Sequence, residues 1–420
     1  MSALLAMFMS SPLRIGLLTH SVNPRGGVVH TLELAHALHG LGHDVTVFAP
    51  ALPGQAMFRP VAHRLELVPV EAGVPASVAA MVEARMAAFE RHLAARLPAQ
   101  PFDVLHAQDG IGANALATLR ERGLVAGFAR TVHHLDDFAD ARVAAWQQRG
   151  VDAAAQVMCV TRGWCDTLRT RYGIDAALVH NGVDCQRFRP QADASDARVA
   201  ARFSLRGGTL EPSAPVVLAV GGVEARKNTV RIVEAFALLR RERPRAQLVI
   251  AGGVSLLDHA AYAGEFESAL QHTGLSALPG GDVVITGAVP DADMPALFRA
   301  ADVLALPSLC EGFGLVVLEA LASGTPVVAS AIAPFTEYLN LHGAEDAVLC
   351  NPHDPAAVAR ALGAALAPER AAALQAGPPA VCLRFGWPAS AARHVALYRA
   401  SAALGRPLGS TAREVQPTEA

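Results

Sequence analysis

Leu13-Arg-Ile-Gly-Leu-Leu18, the Gly26-Gly27 pair and Asp44-Val-Thr-Val-Phe48 together decide the fold. The first is a short apolar strand that runs into a polar loop holding the two glycines. From Val28 to Leu38 apolar residues recur at three- and four-residue spacing, which predicts a helix ended by Gly40 and Gly42. Asp44–Phe48 then reads as a second strand. A strand, helix and strand of these lengths must be parallel and right-handed.

Working outward, buried-strand runs recur at Asp103–His106, Ala129–His133, Val157–Val160 and Leu178–His180. Ala76–Leu97 reads as an amphipathic helix with Val78, Met81, Val82, Phe89 and Leu93 toward the core. Arg189 to Ser213 is polar and marks a junction. A second series follows, with strands near Val216–Val220, Gln247–Ala251, Val283–Thr286, Val303–Leu306, Val327–Ser330 and Val348–Leu349. Trp387–Leu404 carries a helical pattern suited to packing back on the first half.

The expected architecture is α/β: two Rossmann-like doubly wound domains facing across a cleft, with ligands beyond the carboxyl ends of the strands. The boundaries are a leader at 1–12, a first domain at 13–190 and a linker at 191–213. A second domain at 214–385, a returning helix at 386–405 and a disordered tail at 406–420 complete the chain.

Composition agrees with a large folded core. The 420 residues are 52% apolar and 17% charged, and a net charge of -3 gives no nucleic-acid footprint. Six cysteines form neither a Cys-x-x-Cys pair nor a zinc pattern, so reduced core thiols in a cytoplasmic protein are expected. The apolar opening lacks a basic start, and no run reaches the roughly 18 apolar residues of a membrane helix. Peripheral contact with a membrane surface stays open, as does oligomeric state.

The chemistry gathers in two glycine-bearing segments. In Ala305-Leu-Pro-Ser-Leu-Cys-Glu311-Gly-Phe-Gly-Leu-Val-Val-Leu-Glu319, a strand ends and a loop turns into a helix near Leu315. The amides of Phe313, Gly314 and Leu315 at that helix start suit a diphosphate. Glu311 lies just before them, placed to accept from sugar hydroxyls, and Glu319 one turn in, placed for ribose hydroxyls. A helix-start glutamate favoured by the macrodipole plus a surface glutamate is the plainer reading. In Val220-Gly-Gly-Val-Glu-Ala-Arg226-Lys227-Asn228, two cations follow a glycine loop, and taken alone that segment reads first as a solvated basic turn. Gly26-Gly27 repeats the helix-start logic in the first half. It is no dinucleotide fingerprint, because the full glycine motif and the acidic ribose ligand are missing.

From Leu13 to about Ala400 the chain resembles the family-4 retaining glycosyltransferases of the two-Rossmann-domain GT-B kind. The motifs are Gly26-Gly27, Asp103-Val-Leu-His106, Thr131-Val-His133 and Asn181-Gly-Val-Asp184 with Phe188. Gly221 to Lys227, Thr286-Gly-Ala-Val-Pro290, Pro307-Ser308, the Glu311/Glu319 pair and Gly324-Thr-Pro-Val-Val328 complete the series. Asn23-Pro-Arg-Gly-Gly-Val-Val-His30 with Arg226-Lys-Asn-Thr229 further resembles a bacterial subgroup whose acceptor is unassigned.

The resemblance implies a first domain serving the acceptor and a second holding a UDP- or GDP-type sugar. Lys227 and Arg226 would neutralise the diphosphate, Glu311 would bind sugar hydroxyls and Glu319 the ribose, with the base near Val289. His133 would face the transferred sugar. One departure stands out: Gly222 occupies the place of a family arginine, and Arg226 would supply its charge. Transfer would retain the anomeric configuration by same-face displacement, without cofactor or metal, to a small-molecule, glycan or lipid acceptor. An epimerase, a sugar phosphorylase or a non-catalytic nucleotide-sugar binder are the alternatives. Asp291-Ala-Asp293 reads as helix capping, and His133-His134-Leu-Asp136-Asp137 lacks the further ligands of a metal site.

Overall fold

A computed structural model describes residues 11–73, 75–205, 214–252 and 260–411. The chain forms two compact units, Met1–Asn181 with Trp387–Ala420 and Gly182–Gly386.

The first unit is built on a seven-stranded parallel sheet in the order β3-β2-β1-β4-β5-β6-β7. Its strands are β1 Arg14–Leu18, β2 Asp44–Ala51, β3 Arg64–Pro69, β4 Val104–Ala107, β5 Ala129–Val132, β6 Gln156–Cys159 and β7 Ala177–Leu178. β1 lies between β2 and β4, with Ile15 opposite both Val45 and Val104. Central strands covered by helices on both faces must be apolar along their length, as Ile15, Leu17 and Leu18 are. The helix Gly26–Gly40 buries residues on nearly every side, from Val28 to Leu38. Glu33 within it is paired with Arg59 at 2.8 Å.

The second unit repeats the plan with six parallel strands, β10-β9-β8-β11-β12-β13. They are β8 Val216–Val220, β9 Gln247–Ala251, β10 Val283–Gly287, β11 Val303–Leu306, β12 Val327–Ser330 and β13 Val348–Cys350. In both sheets the order reverses beside the first strand, the topological switch point where such folds place ligands. The two parallel-sheet α/β domains expected from the sequence are therefore present.

Several boundaries differ from the expectation. The first unit ends at Asn181 and not at 190, because Val183 donates to the Phe385 carbonyl at 2.7 Å and Phe188 packs edge-on against Phe298. Residues 191–205 are no free linker. A helix at Ala194–Arg202, capped by Asp193, is held to the second unit by Arg299, which reaches Asp193 at 3.1 Å and Asp196 at 2.5 Å. The rest of the expected linker lies outside the described residues, as do residues 1–10 of the leader.

The tail also differs. Residues 406–411 lie along the first unit: Leu408 is buried, its carbonyl accepts from Leu105 N at 2.6 Å, and Ser410 N donates to the Phe102 carbonyl at 3.0 Å. Apolar Leu408 finds a place on the sheet that a glycine- and proline-rich segment does not advertise. Residues 412–420 fall outside the described residues.

On the helix Val78–Arg96, Met86, Phe89 and Leu93 are buried while Val78 is exposed in the first turn, so the core face lies further along than its periodicity implies. The helix Trp387–Ala403 packs on Gly26–Gly40. Among the described residues no helix is long and apolar enough to cross a membrane. No cysteine is bridged, and Cys310, expected in a core, is exposed.

Leu408→Ala is expected to destabilise the first unit by about 2–4 kcal/mol, the usual loss for emptying a buried leucine site. Urea unfolding followed by far-UV circular dichroism checks it; an unchanged curve would return this segment to a loose tail.

Candidate active site

In the second unit the carboxyl ends of the central strands carry the chemistry-bearing loops. After β8 the chain turns through Gly221 (φ 131°) and Gly222 (φ 76°), both donating to the Ala251 carbonyl, at 2.7 and 3.0 Å. A Cβ on Gly221 would meet the Lys227 side chain at 2.7–3.0 Å, so glycine there makes room for the lysine stem. Gly222 sits in the left-handed region, which a non-glycine residue adopts only with strain. That gives the absence of the family arginine at this position a backbone reason.

Arg226 and Lys227 lie in a short 3-10 turn, Ala225–Lys227, closed by Asn228 in the left-handed region (φ 62°). Asn228 is buried, and its amide donates to the carbonyls of Pro307 (3.0 Å) and Pro352 (2.7 Å). Leu309 N donates to the Arg226 carbonyl at 2.9 Å. The cation turn is thus tied to the loop after β11 at two points.

That loop carries Glu311, which is 7% exposed. Its carboxylate accepts from Lys227 Nζ at 2.5 Å, from Ser308 Oγ at 2.9 Å and from Arg226 at 3.3 Å. Ser308 is held in turn, its carbonyl accepting from Ser330 Oγ at 2.5 Å. Burial alone would push the Glu311 carboxyl up; Lys227 first, then Arg226, outweigh it and hold the group below the usual glutamate range.

The helix Leu315–Ala322 starts from Gly314 at φ 85° and ψ 53°. A Cβ there would lie 2.6 Å from the Phe335 ring, so both conformation and space demand glycine. Phe313 stacks on Tyr338 (centroids 5.0 Å, 13°), whose hydroxyl donates to the Phe313 carbonyl at 2.9 Å. Glu319 lies one turn into the helix, partly buried. Val289 follows β10, and the Gly287 carbonyl accepts from Gly252 N at 3.0 Å.

In the first unit Gly26 and Gly27 open their helix with no side-chain cap. A Cβ on Gly27 would lie 3.8 Å from His133 and 4.0 Å from His20. His133 follows β5, partly buried, with its ring edge-on to His30 at 4.5 Å. Burial, then His30 and Arg130, hold it well below the usual histidine range, so it is neutral.

The structure thus brings Arg226, Lys227 and Glu311 into direct contact, and Gly27 beside His133. It also shows partners that sequence reasoning missed. Ser308 stood in the Pro307-Ser308 motif without its contact to Glu311, and Gly252 carried a faint signal as a glycine just past a strand. Tyr338 carried none, and Asn228, quoted within Arg226-Lys-Asn-Thr229, gave no sign of its partners Pro307 and Pro352 far along the chain.

Other readings change. Asp293, at the cap of the helix Met294–Arg299, makes no side-chain cap hydrogen bond; it pairs with Arg198 and Arg202 at 2.9 and 3.1 Å, and Asp291 pairs with Arg187 at 2.8 Å. These arginines come from the segment read as a junction and its approach. His134 pairs with Asp136 at 3.1 Å, and Asp137 with Arg171 at 3.3 Å.

Twin parallel sheets with glycine-led helix starts at their strand ends define a two-domain α/β protein. Two family models match in tandem, Glycosyltransferase Family 4 over residues 24–187 and Glycosyl transferases group 1 over residues 204–376. The chain belongs to the family-4 glycosyltransferases, with the GT-B fold.

The D-inositol 3-phosphate glycosyltransferase of Xylanimonas cellulosilytica is 35% identical over 267 residues, 62% of this chain and 60% of that protein. The chain spans about half to three-fifths of the length of the curated relatives it matches at this level. Among solved structures, sucrose-phosphate synthase from Thermosynechococcus elongatus matches with a TM-score of 0.71 at 22% identity, covering 93% of this chain and 100% of that one. Anabaena HepE, solved with UDP-glucose, matches with a TM-score of 0.69 at 17% identity, covering 93% and 100%.

The folded-state pKa of Glu311 is depressed, so its stabilising contribution is complete above the unfolded value and is lost as pH falls through the lower folded value. Between about pH 6 and about pH 3, wild type is expected to lose more stability than Glu311→Gln in urea unfolding. Parallel curves for the two would dissolve the ion-pair cluster. Lys227→Ala, which leaves the buried carboxylate to Ser308 and Arg226, is expected to cost about 3 kcal/mol in the same measurement.

Proposed function

We propose that the protein moves a glycosyl unit from a nucleoside-diphosphate sugar, of UDP or GDP type, to a hydroxyl-bearing acceptor. The observation that carries the reading is the Lys227–Glu311–Arg226 cluster, built round the buried Glu311 carboxylate, beside the Gly314-led helix start. A diphosphate needs fixed positive charge and backbone amides, and both are supplied on rigid elements. Lys227 and Arg226 neutralise the leaving diphosphate with the amides of Gly314 and Leu315 and the backbone at Phe313. Glu311 keeps the two cations in register and presents its remaining acceptor capacity to sugar hydroxyls. Glu319 takes the ribose and the backbone at Val289 the base. Gly26, Gly27 and His133 serve the transferred sugar and acceptor side.

Transfer proceeds with retention, by same-face displacement assisted by the leaving phosphate, and without a metal or other cofactor. The cationic side chains supply the charge that a metal provides elsewhere. UDP-glucose on a protein of the same fold and the inositol phosphate glycosyltransferase names of relatives support a sugar donor and a small polar acceptor. Unbridged cysteines support a cytoplasmic setting.

A thermal-shift screen against UDP, GDP and their sugars is expected to single out one nucleotide, since selective binding stabilises the fold by mass action. With that donor and a panel of polyols, sugar phosphates and lipid-linked acceptors, product release in EDTA is expected. Lys227→Ala and Glu311→Ala should each lower kcat by about a hundredfold or more. Full activity in both variants would sink the assignment; turnover only with inorganic phosphate, or of donor alone, would point to a phosphorylase or an epimerase.

A further inference from the structure

Behind His133 the first unit holds a chain of buried polar side chains that the proposed reaction leaves unexplained. Gln108, directly after β4, is 2% exposed, and its backbone N–H is fixed to the Leu18 carbonyl at 2.9 Å. Its amide nitrogen lies 3.3 Å from His106 Nδ1, and its amide oxygen 3.3 Å from His133 Nε2. The fully buried His106 ring is held by Tyr398 at Nδ1 (2.7 Å) and Thr131 at Nε2 (2.8 Å).

The donor and acceptor inventory gives this chain one direction. An amide NH2 only donates, so His106 Nδ1 is the bare nitrogen, which also accepts a hydrogen bond from the Tyr398 hydroxyl. His106 Nε2 then carries its proton toward Thr131. At the other end an amide oxygen only accepts, so His133 Nε2 carries the hydrogen. His133 Nδ1 has no hydrogen-bond partner among the described residues.

We infer that Gln108 is a positioning residue that fixes His133 as its Nε2–H tautomer, so that the group His133 offers is the lone pair on Nδ1. This rests on the reading that His133 faces the transferred sugar. The lone pair recognises a hydroxyl donor, so His133 selects a sugar bearing a hydroxyl there and leaves a carbonyl or carboxylate unrecognised. The surroundings agree: His30 from the helix Gly26–Gly40, Arg130 on β5, His106 on β4 and the adjacent His134 all disfavour a second proton on the ring. His394, on the helix Trp387–Ala403, faces His30 and His106 and acts on them in the same sense.

Nitrogen-15 correlation spectra of the full-length histidine-labelled protein test the tautomer, with the His133 signals assigned by their loss in His133→Asn. The wild type is expected to show His133 protonated at Nε2; protonation at Nδ1 overturns the proposal, and this result is read on the wild-type protein itself. In Gln108→Leu the two tautomers should mix and kcat fall about tenfold, with KM for the acceptor little changed. Gln108→Glu keeps the acceptor but adds a charge that favours imidazolium. The acidic limb of its kcat profile should therefore move up by about one pH unit or more. An unmoved limb in a folded, active Gln108→Glu protein also overturns the proposal. If instead His133→Ala turns over at the wild-type rate, the reading of His133 fails while the tautomer result stands on its own.

Discussion

A carboxylate taken almost fully out of water must be paired, and at Glu311 the pairing is with a hydroxyl of its own loop and two cations far away in sequence. Lys227 and Arg226 come from the turn after β8, Ser308 and Glu311 from the loop after β11, and these two strands are neighbours in the sheet. The contact is therefore possible only when the strand order reverses as it does. A missing lysine leaves a buried charge under-compensated, so the cluster couples local site chemistry to the integrity of the second unit. Asn228 adds a mechanical tie, with one amide holding the carbonyls of Pro307 after β11 and Pro352 after β13.

Glycine makes the approach possible at two positions for different reasons. Gly221 yields volume to the lysine stem, and Gly314 accepts both a left-handed backbone and the nearby Phe335 ring. Gly222 shows the opposite face of the same constraint. Its left-handed backbone, pinned to the Ala251 carbonyl, disfavours a long cation there. Arg226, four residues on in the 3-10 turn, reaches Glu311 instead.

Most strands were legible because each is a short apolar run bounded by glycine or polar residues, and central parallel strands permit little else. β3 was not: Arg64-Leu-Glu-Leu-Val-Pro69 is an edge strand in which Val68 alone is buried, so it lacks the apolar signal. The cation pair and the two glutamates were visible as residue types beside glycine loops. Their mutual contact was not, since loop spacing says nothing about which strand lies next to which. Residues 406–411 carry little apolar signal, because Pro407 and Gly409 flank and mask one anchoring leucine. The acidic pair at 291 and 293 was read by local capping rules, whereas its partners Arg187, Arg198 and Arg202 are about a hundred residues upstream.

The two units handle buried polarity in contrasting ways. The second concentrates charge and balances it, with Lys227 and Arg226 set against Glu311 and Glu224. The first keeps its buried imidazoles neutral: His30 is pushed down to about 3 by burial, and then by His394, against a hydrogen bond to Asn181. Neutral rings among apolar walls avoid the desolvation penalty of a charge, yet they retain directional donors and acceptors. A sugar hydroxyl carries no charge and is recognised by direction alone. A set of rings with fixed tautomers suits that ligand as well as a cation pair suits a diphosphate.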